Sequence, residues 1–388
     1  MKQVVEKQLP KFIALHCQEI GGKEYKSSLQ PVKDFFNKLM DCKALVKFST
    51  VRGYLDGDFN HVDQYTALGN FYFVHESAKD VFLFNYTDKA FTSVSGKQIF
   101  SKDLAEVPNI RKEKFQQNFF PGCRWSRKGY SRVRWKIYEK EVEFVNIHLF
   151  HDDSNLVSIK SSPSPYTAYR KRALNFVTQR LKEDQFNESK LLFICGDFNF
   201  RLDLKALVQK ICPTSCQQVV RAPSDDEIIR VLFRDKQCET INGEEHKEPD
   251  VLVKIEKKLF EVKQTLLREK FEYQYLKSFD SELSDTGLEW KEHEITFPPT
   301  YPFSENIADC EDYMRTRCPA WCDRILLSQT LWEWLHHDKA NVYYNTIGSD
   351  VCMGDHKPVY LAFTAKHDLP KQSNETNNRQ QSVETNEE

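Results

Sequence analysis

The chain lacks any apolar run of the roughly 20 residues that a membrane-spanning helix needs. Its longest apolar stretches, Val142–Phe150 and Leu191–Cys195, are strand-sized. The N-terminal MKQVVEKQLPK lacks a secretory apolar core. A large net charge is also missing: the formal value is −2 over 388 residues, so no whole-molecule field draws the protein to nucleic acid or membrane. Any anion site must be a local cluster of bases. The eleven cysteines are odd in number and show no paired framework. Cys212/Cys216 and Cys318/Cys322 are each four apart, but no nearby Cys/His pair completes a zinc set. Without a secretory segment the thiols read as reduced and the compartment as intracellular. There is no internal repeat.

Apolar residues make up 40% and charged residues 29%, enough to bury a core and stay soluble. Short apolar strands alternate with amphipathic helices from residue 12 to about residue 366, which predicts one mixed α/β domain. Strands are expected at Phe12–Leu15, Phe71–Val74, Val81–Tyr86, Val133–Tyr138, Val142–His148, Leu191–Cys195, Asp323–Leu327 and Pro358–Phe363. Helices are expected at about Gln30–Lys47 and at Tyr166–Lys182, where Tyr169, Ala173, Phe176, Val177 and Leu181 share a face. From 224 to about 292 the charged texture of DVLVKIEKKLFEVKQTLLREKF reads as a helical elaboration without chemistry of its own. Residues 367–388 are too polar to fold and read as a disordered tail.

Four segments deliver polar pairs at the C-terminal end of an apolar strand: LHCQE (Leu15–Glu19), VNIHLFH (Val145–His151), ICGDFNFR (Ile194–Arg201) and CMGDHKPV (Cys352–Val359). A fifth, PAWCDRILL, puts Asp323 and Arg324 at a strand's beginning. Singly, each is compatible with a solvated strand end or an Asx turn. Together, carboxylates, an amide and two histidines are the inventory of metal-assisted phosphate-ester hydrolysis. Glu19 and Asp355 suit Mg²⁺, which prefers oxygen ligands. Asp197 and Asn199 supply a base and an orienting group for water. His148, Asn199 and His356 can donate to a phosphoryl group gathering charge, with Asp323 as the carboxylate partner of His356. Arg124, Arg127, Lys128, Arg132, Arg134 and Lys136 place six bases within thirteen positions, either a solvated strand face or a pocket wall for ring phosphates. Lys23, Arg201, Arg324 and Lys357 adjoin the site motifs and are further substrate-binding candidates.

The order ALHCQEIGGK, WSRKGY, VNIHLFHD, GDFNFRLD, FPPTYPFSE, RCPAWCDRIL, MGDHKPV resembles the inositol-polyphosphate 5-phosphatases, and is most similar to their type I members. The resemblance spans about Phe12 to Phe363. It implies an endonuclease/exonuclease/phosphatase (deoxyribonuclease-like) fold, an α/β (α+β) sandwich of two packed mixed sheets flanked by helices. It implies Mg²⁺ at Glu19 with Asp355 nearby, water activation by Asp197, and phosphate contacts from Asn199 and His148. It also implies a stabilising Asp323–His356 dyad and 4-phosphate contacts from Lys128 and Arg134. The implied activity removes the 5-phosphate from inositol 1,4,5-trisphosphate and inositol 1,3,4,5-tetrakisphosphate, ending a calcium-mobilising signal. A cytoplasmic monomer is expected, without nucleic acid and at most peripheral at the plasma membrane.

Two features depart from the family pattern. The eighteen residues before Glu19 contain no strand ending in a metal-contacting Asn, so the first strand of the fold is expected to be missing. The final Glu-Thr-Asn-Glu-Glu has no cysteine for prenylation. The first departure keeps a weakly active or inactive phosphoinositide-binding pseudophosphatase as an alternative. A nuclease or sphingomyelinase of the same broad fold is the second.

Overall fold

Side-chain alternation along the strands generates four layers: helix, sheet, sheet, helix. The computed structural model describes residues 2–364 apart from 22–24, 102, 121–126, 186–190, 236–249, 264–265, 267–272 and 338–340. The first sheet has the order β1-β3-β2-β6, formed by β1 (Phe12–Cys17), β2 (Thr50–Leu55), β3 (Gly69–Val74) and β6 (Lys97–Phe100). The second contains β4 (Val81–Asn85), β5 (Ala90–Ser93), β7 (Arg111–Lys114), β8 (Gly129–Ile137), β9 (Lys140–His148), β10 (Leu191–Asp197) and β15 (Asp323–Leu327). Its order is β15-β10-β9-β8-β4-β5, with β7 also paired to β8.

In β9 and β10, Phe144 and Phe193 point to the first sheet, whereas Val145, Ile147 and Ile194 point to the opposite face. The inter-sheet seam is aromatic. Phe12 of the first sheet stacks on Phe144 at 5.6 Å and meets Trp135 edge-on at 5.3 Å. The outer face of the second sheet is covered by α4 (Pro165–Lys182), through Ala173, Leu174 and Val177. Ser164 caps that helix and Pro165 occupies its first position. The outer face of the first sheet is covered by α2 (Tyr25–Met40), where Phe36 stacks on Phe71. The expected sandwich of two mixed sheets between helices is therefore the observed one.

One sequence reading changes. The start, expected to hold no strand, forms helix α1 (Lys2–Gln8). Much of the expected helical elaboration is a four-stranded antiparallel sheet: β11 (Cys216–Arg221), β12 (Ile228–Arg234), β13 (Val251–Glu256) and β14 (Leu259–Val262). The charges misled, because they alternate with period two. Val253 and Ile255 turn inward while Lys254 and Glu256 turn out, and β-branched residues favour the pleated form. Short helices complete the chain: α3 (Asn155–Ser158), α5 (Leu204–Ile211), α6 (Tyr273–Lys277), α7 (Glu282–Asp285) and α8 (Gln329–His337). The last hairpin is β16 (Val342–Thr346) with β17 (Val359–Phe363). The polar tail at 367–388 lies outside the described residues.

Candidate active site

Strand register assembles the site. β9 and β10 run parallel with His148 opposite Asp197, and β10 pairs antiparallel with β15 so that Asp197 faces Asp323. Gly129 of β8 lies opposite His148 on the other side, with Lys128 just before it. One row across four neighbouring strands, each about 4.8 Å from the next, thus carries Gly129, His148, Asp197 and Asp323, with Lys128 flanking its end. Gly196 makes the row possible. Its φ is +152°, and a Cβ there would lie 2.0 Å from the Ile147 carbonyl oxygen. Glu19 enters from the first sheet just beyond β1, and His356 from the loop before β17. Glu19 and Asn199 both adopt positive φ, at 53° and 51°. Such backbone strain concentrates at functional sites.

Asp197 is held ionised. Burial opposes its charge, but His356 and His148 outweigh that and keep the carboxyl well below its usual range. It accepts hydrogen bonds from the Asn199 backbone N–H (2.8 Å) and side-chain amide (2.7 Å). His148 Nε2 is 3.1 Å from its Oδ2. His148 is lowered by burial and by Lys128, whose ammonium contacts the same Nε2. His356 behaves oppositely. Burial disfavours its charge, but Asp323, 2.8 Å from Nδ1, and Asp197 raise it to about 9. One ligand-type atom each from Asp197, Asp323 and His356 lies within 4.8 Å of the others. An imidazole kept protonated is a poor metal ligand, so this trio fits proton and charge handling better than coordination.

The carboxylates of Glu19 and Asp355 offer oxygen atoms of the kind that could hold a hard cation. Burial pushes Glu19 up, yet Lys128, His148 and Arg127 hold it at about 2. Arg127 Nη2 lies 3.0 Å and Lys128 Nζ 3.7 Å from its oxygens. Burial raises Asp355, with the negative charges of Glu305 and Glu19 adding to the shift and His356 opposing it. Carboxylate oxygens are the donors that a hard divalent cation takes.

The expected residues divide. Glu19, Lys128, His148, Asp197, Asn199, Asp323, Asp355 and His356 share this cleft. Asn199 differs from its expected role as a phosphate donor: its amide hydrogens go to Asp197 Oδ2 and the Leu149 carbonyl (3.0 Å), and its oxygen accepts from Arg201 Nη2 (2.6 Å). It orients Asp197 instead. Arg201 is buried behind Asn199, over the Tyr301 ring at 4.2 Å. Lys23 lies outside the described residues, as do Arg124 and Trp125.

Arg134, Arg324 and Lys357 are not brought to the cleft. Arg134 lies five residues along β8 from Gly129, about 17 Å away. It is fully buried, with Asp184 at 2.7 Å and Glu143 at 3.2 Å. Strand alternation turns Arg324 away from Asp323, toward Glu292 and Asp280 (2.9 Å). Lys357 donates to the Val351 carbonyl at 2.9 Å and braces its own loop. Sequence reading missed Tyr301, whose ring centroid is 4.6 Å from that of His356. Its position inside FPPTYPFSE was the available signal.

The model of the Endonuclease/Exonuclease/phosphatase family 2 matches residues 255–362. A human protein, inositol polyphosphate-5-phosphatase A, is 44% identical over 365 residues, 93% of this chain and 86% of its own. A Caenorhabditis elegans protein, named a probable type I inositol 1,4,5-trisphosphate 5-phosphatase, is 34% identical over 92% of both chains. A solved inositol polyphosphate 5-phosphatase domain of a synaptojanin, with inositol (1,4)-bisphosphate and calcium ion, is 15% identical. It covers 94% of this chain and 80% of its own, with a TM-score of 0.46.

Proposed function

This chain belongs to the inositol polyphosphate 5-phosphatases, and we propose that it hydrolyses the 5-phosphate of soluble inositol 1,4,5-trisphosphate and inositol 1,3,4,5-tetrakisphosphate with Mg²⁺ as cofactor. The observation that carries this reading is an ionised Asp197 facing a cationic His356 that is paired to Asp323. Asp197 orients water through a carboxylate fixed by Asn199 and takes a hydrogen bond from it. His356, positively charged below about pH 9, donates toward the phosphoryl oxygens as they gain charge. Lys128 adds a second cation at the same edge, where a phosphate beside the scissile one would be held. Glu19 and Asp355 would hold the Mg²⁺, which when bound withdraws charge from a phosphate oxygen.

Removal of the 5-phosphate would end the signal that the trisphosphate carries. Among the described residues no helix is long and apolar enough to cross a membrane. A cytoplasmic monomer, with at most peripheral membrane contact, accords with the soluble substrate. The test measures phosphate release from inositol 1,4,5-trisphosphate and from phosphatidylinositol 4,5-bisphosphate vesicles, and strand cleavage of single-stranded DNA, with Mg²⁺ titrated after chelation. Mg²⁺-dependent release from the soluble ester supports the reading. Release from vesicles alone, DNA cleavage alone, or activity indifferent to chelation overturns it.

A further inference from the structure

A buried ion pair behind the cleft ties the two substrate-facing loops together. Arg170 of α4 is fully buried and reaches both. Its Nη1 donates to the Phe150 carbonyl (3.1 Å) and to Asp152 Oδ1 (2.6 Å), on the loop that follows His148. Its Nε donates to Glu282 Oε2 at 2.7 Å, and its Nη2 to Glu282 Oε1. Glu282, itself 5% exposed, accepts the Arg201 backbone N–H at 3.1 Å on the loop that follows Asp197. Arg201 Nη2 then fixes the Asn199 oxygen, and Asn199 fixes Asp197. The Asn199 amide also bonds the Leu149 carbonyl, one residue before the Phe150 carbonyl that Arg170 holds.

We propose that Arg170 and Glu282 are positioning residues that set the register between the His148 loop and the Asp197 loop, and so fix the orientation of the Asn199 amide on Asp197. The inference rests on the hydrolase reading above and deepens it. It gives a role to α7, which lies in the stretch that sequence reading left without chemistry. A bidentate arginine suits the task because its planar fork defines direction as well as distance, which a lysine cannot do. The cost of misalignment is steep. A displacement of about 1 Å by a change remote from the chemistry can lower a rate by about 10²-fold.

The test uses the full chain with inositol 1,4,5-trisphosphate and compares wild type, Arg170→Lys, Glu282→Gln and Glu282→Ala, each also with Asn199→Ala. Positioning predicts that kcat falls about 10-fold in Arg170→Lys and about 10²-fold in Glu282→Ala, with KM within about twofold. Glu282→Gln keeps an acceptor for the Arg201 N–H and should recover most of that loss. In the Asn199→Ala background the Glu282 changes should cost under about threefold, because the link they act through is gone. A role confined to holding the fold predicts losses that multiply in the double variants and that follow melting temperature. That result, an unchanged kcat in Arg170→Lys, or a loss in Glu282→Gln as large as in Glu282→Ala overturns the proposal. Should Glu282→Ala not fold, the two conservative variants decide by the same criteria. An inactive wild type overturns the hydrolase reading and the inference with it, whereas an active wild type with multiplying losses overturns the inference alone.

Discussion

Asp323 Oδ2 lies 2.8 Å from His356 Nδ1, and this contact makes the imidazole a cation where an isolated buried histidine would be neutral. Burial alone would lower the pKa. Asp323 and Asp197 reverse the sign, and the group reaches about 9.

Removing the partner charge should therefore move the alkaline limb of the rate profile. A raised pKa means that the active, charged form predominates below about 9 and is lost above it. Asp323→Asn removes the largest favourable charge, so the limb in kcat should move about one to two pH units toward acid. A pH–rate profile of both proteins checks this, and coincident limbs would remove His356 from the charge-stabilising role.

Asp197→Ala and His356→Ala should each lower kcat by about 10²–10⁴-fold without loss of the folded state. Single-turnover phosphate release, with circular dichroism as the folding control, separates lost chemistry from lost structure. Near-wild-type turnover in either variant would reassign that side chain.

Lys128 and Arg134 are predicted to part company. Lys128→Ala should raise KM more than it lowers kcat, since a ring-phosphate contact exists before the transition state. Arg134→Ala removes the more deeply buried of the two arginines that share Glu143 and Asp184 and leaves Arg132 as their cation, a defect worth about 1–3 kcal/mol of stability, while KM stays near wild type. Urea unfolding beside steady-state kinetics distinguishes them. A raised KM in Arg134→Ala would return that arginine to the cleft.

His16 should make the fold acid-sensitive. Burial lowers its pKa from 6.5 to about 3, so between these values the unfolded chain binds a proton that the native state refuses. This contribution is complete above pH 6.5 and declines by about 1.4 kcal/mol per pH unit as the pH falls. The His16→Gln variant should lose that part of the slope. Equal slopes for the two proteins between pH 7 and 5 would show that His16 titrates normally.

The strands that carry the site were readable because one face or both are apolar and short runs end in polar pairs. GDFN was the clearest case: its glycine occupies a backbone conformation closed to other residues, directly before the key carboxylate. The β11–β14 sheet was misread because abundant lysine and glutamate obscured a period-two apolar pattern. Arg134 and Arg324 looked like substrate ligands because local sequence reports a base near a motif. It does not report which face of the strand that base occupies, nor which carboxylate waits there.

Chemistry by residue type, the strands that carry the site and the mixed α/β class were determined by the sequence itself, through alternation, strand-ending polar pairs and turn glycines, while the two-sheet sandwich followed from the family resemblance. Only the tertiary structure decided which charges meet. The parallel β9–β10 register and the antiparallel β10–β15 register set His148, Asp197 and Asp323 side by side across about 175 residues of chain. Pairings between segments so far apart depend on the packing of whole sheets. The same packing buries Arg170 against Glu282, 112 positions away, where a charge can stay only because its partner is fixed beside it.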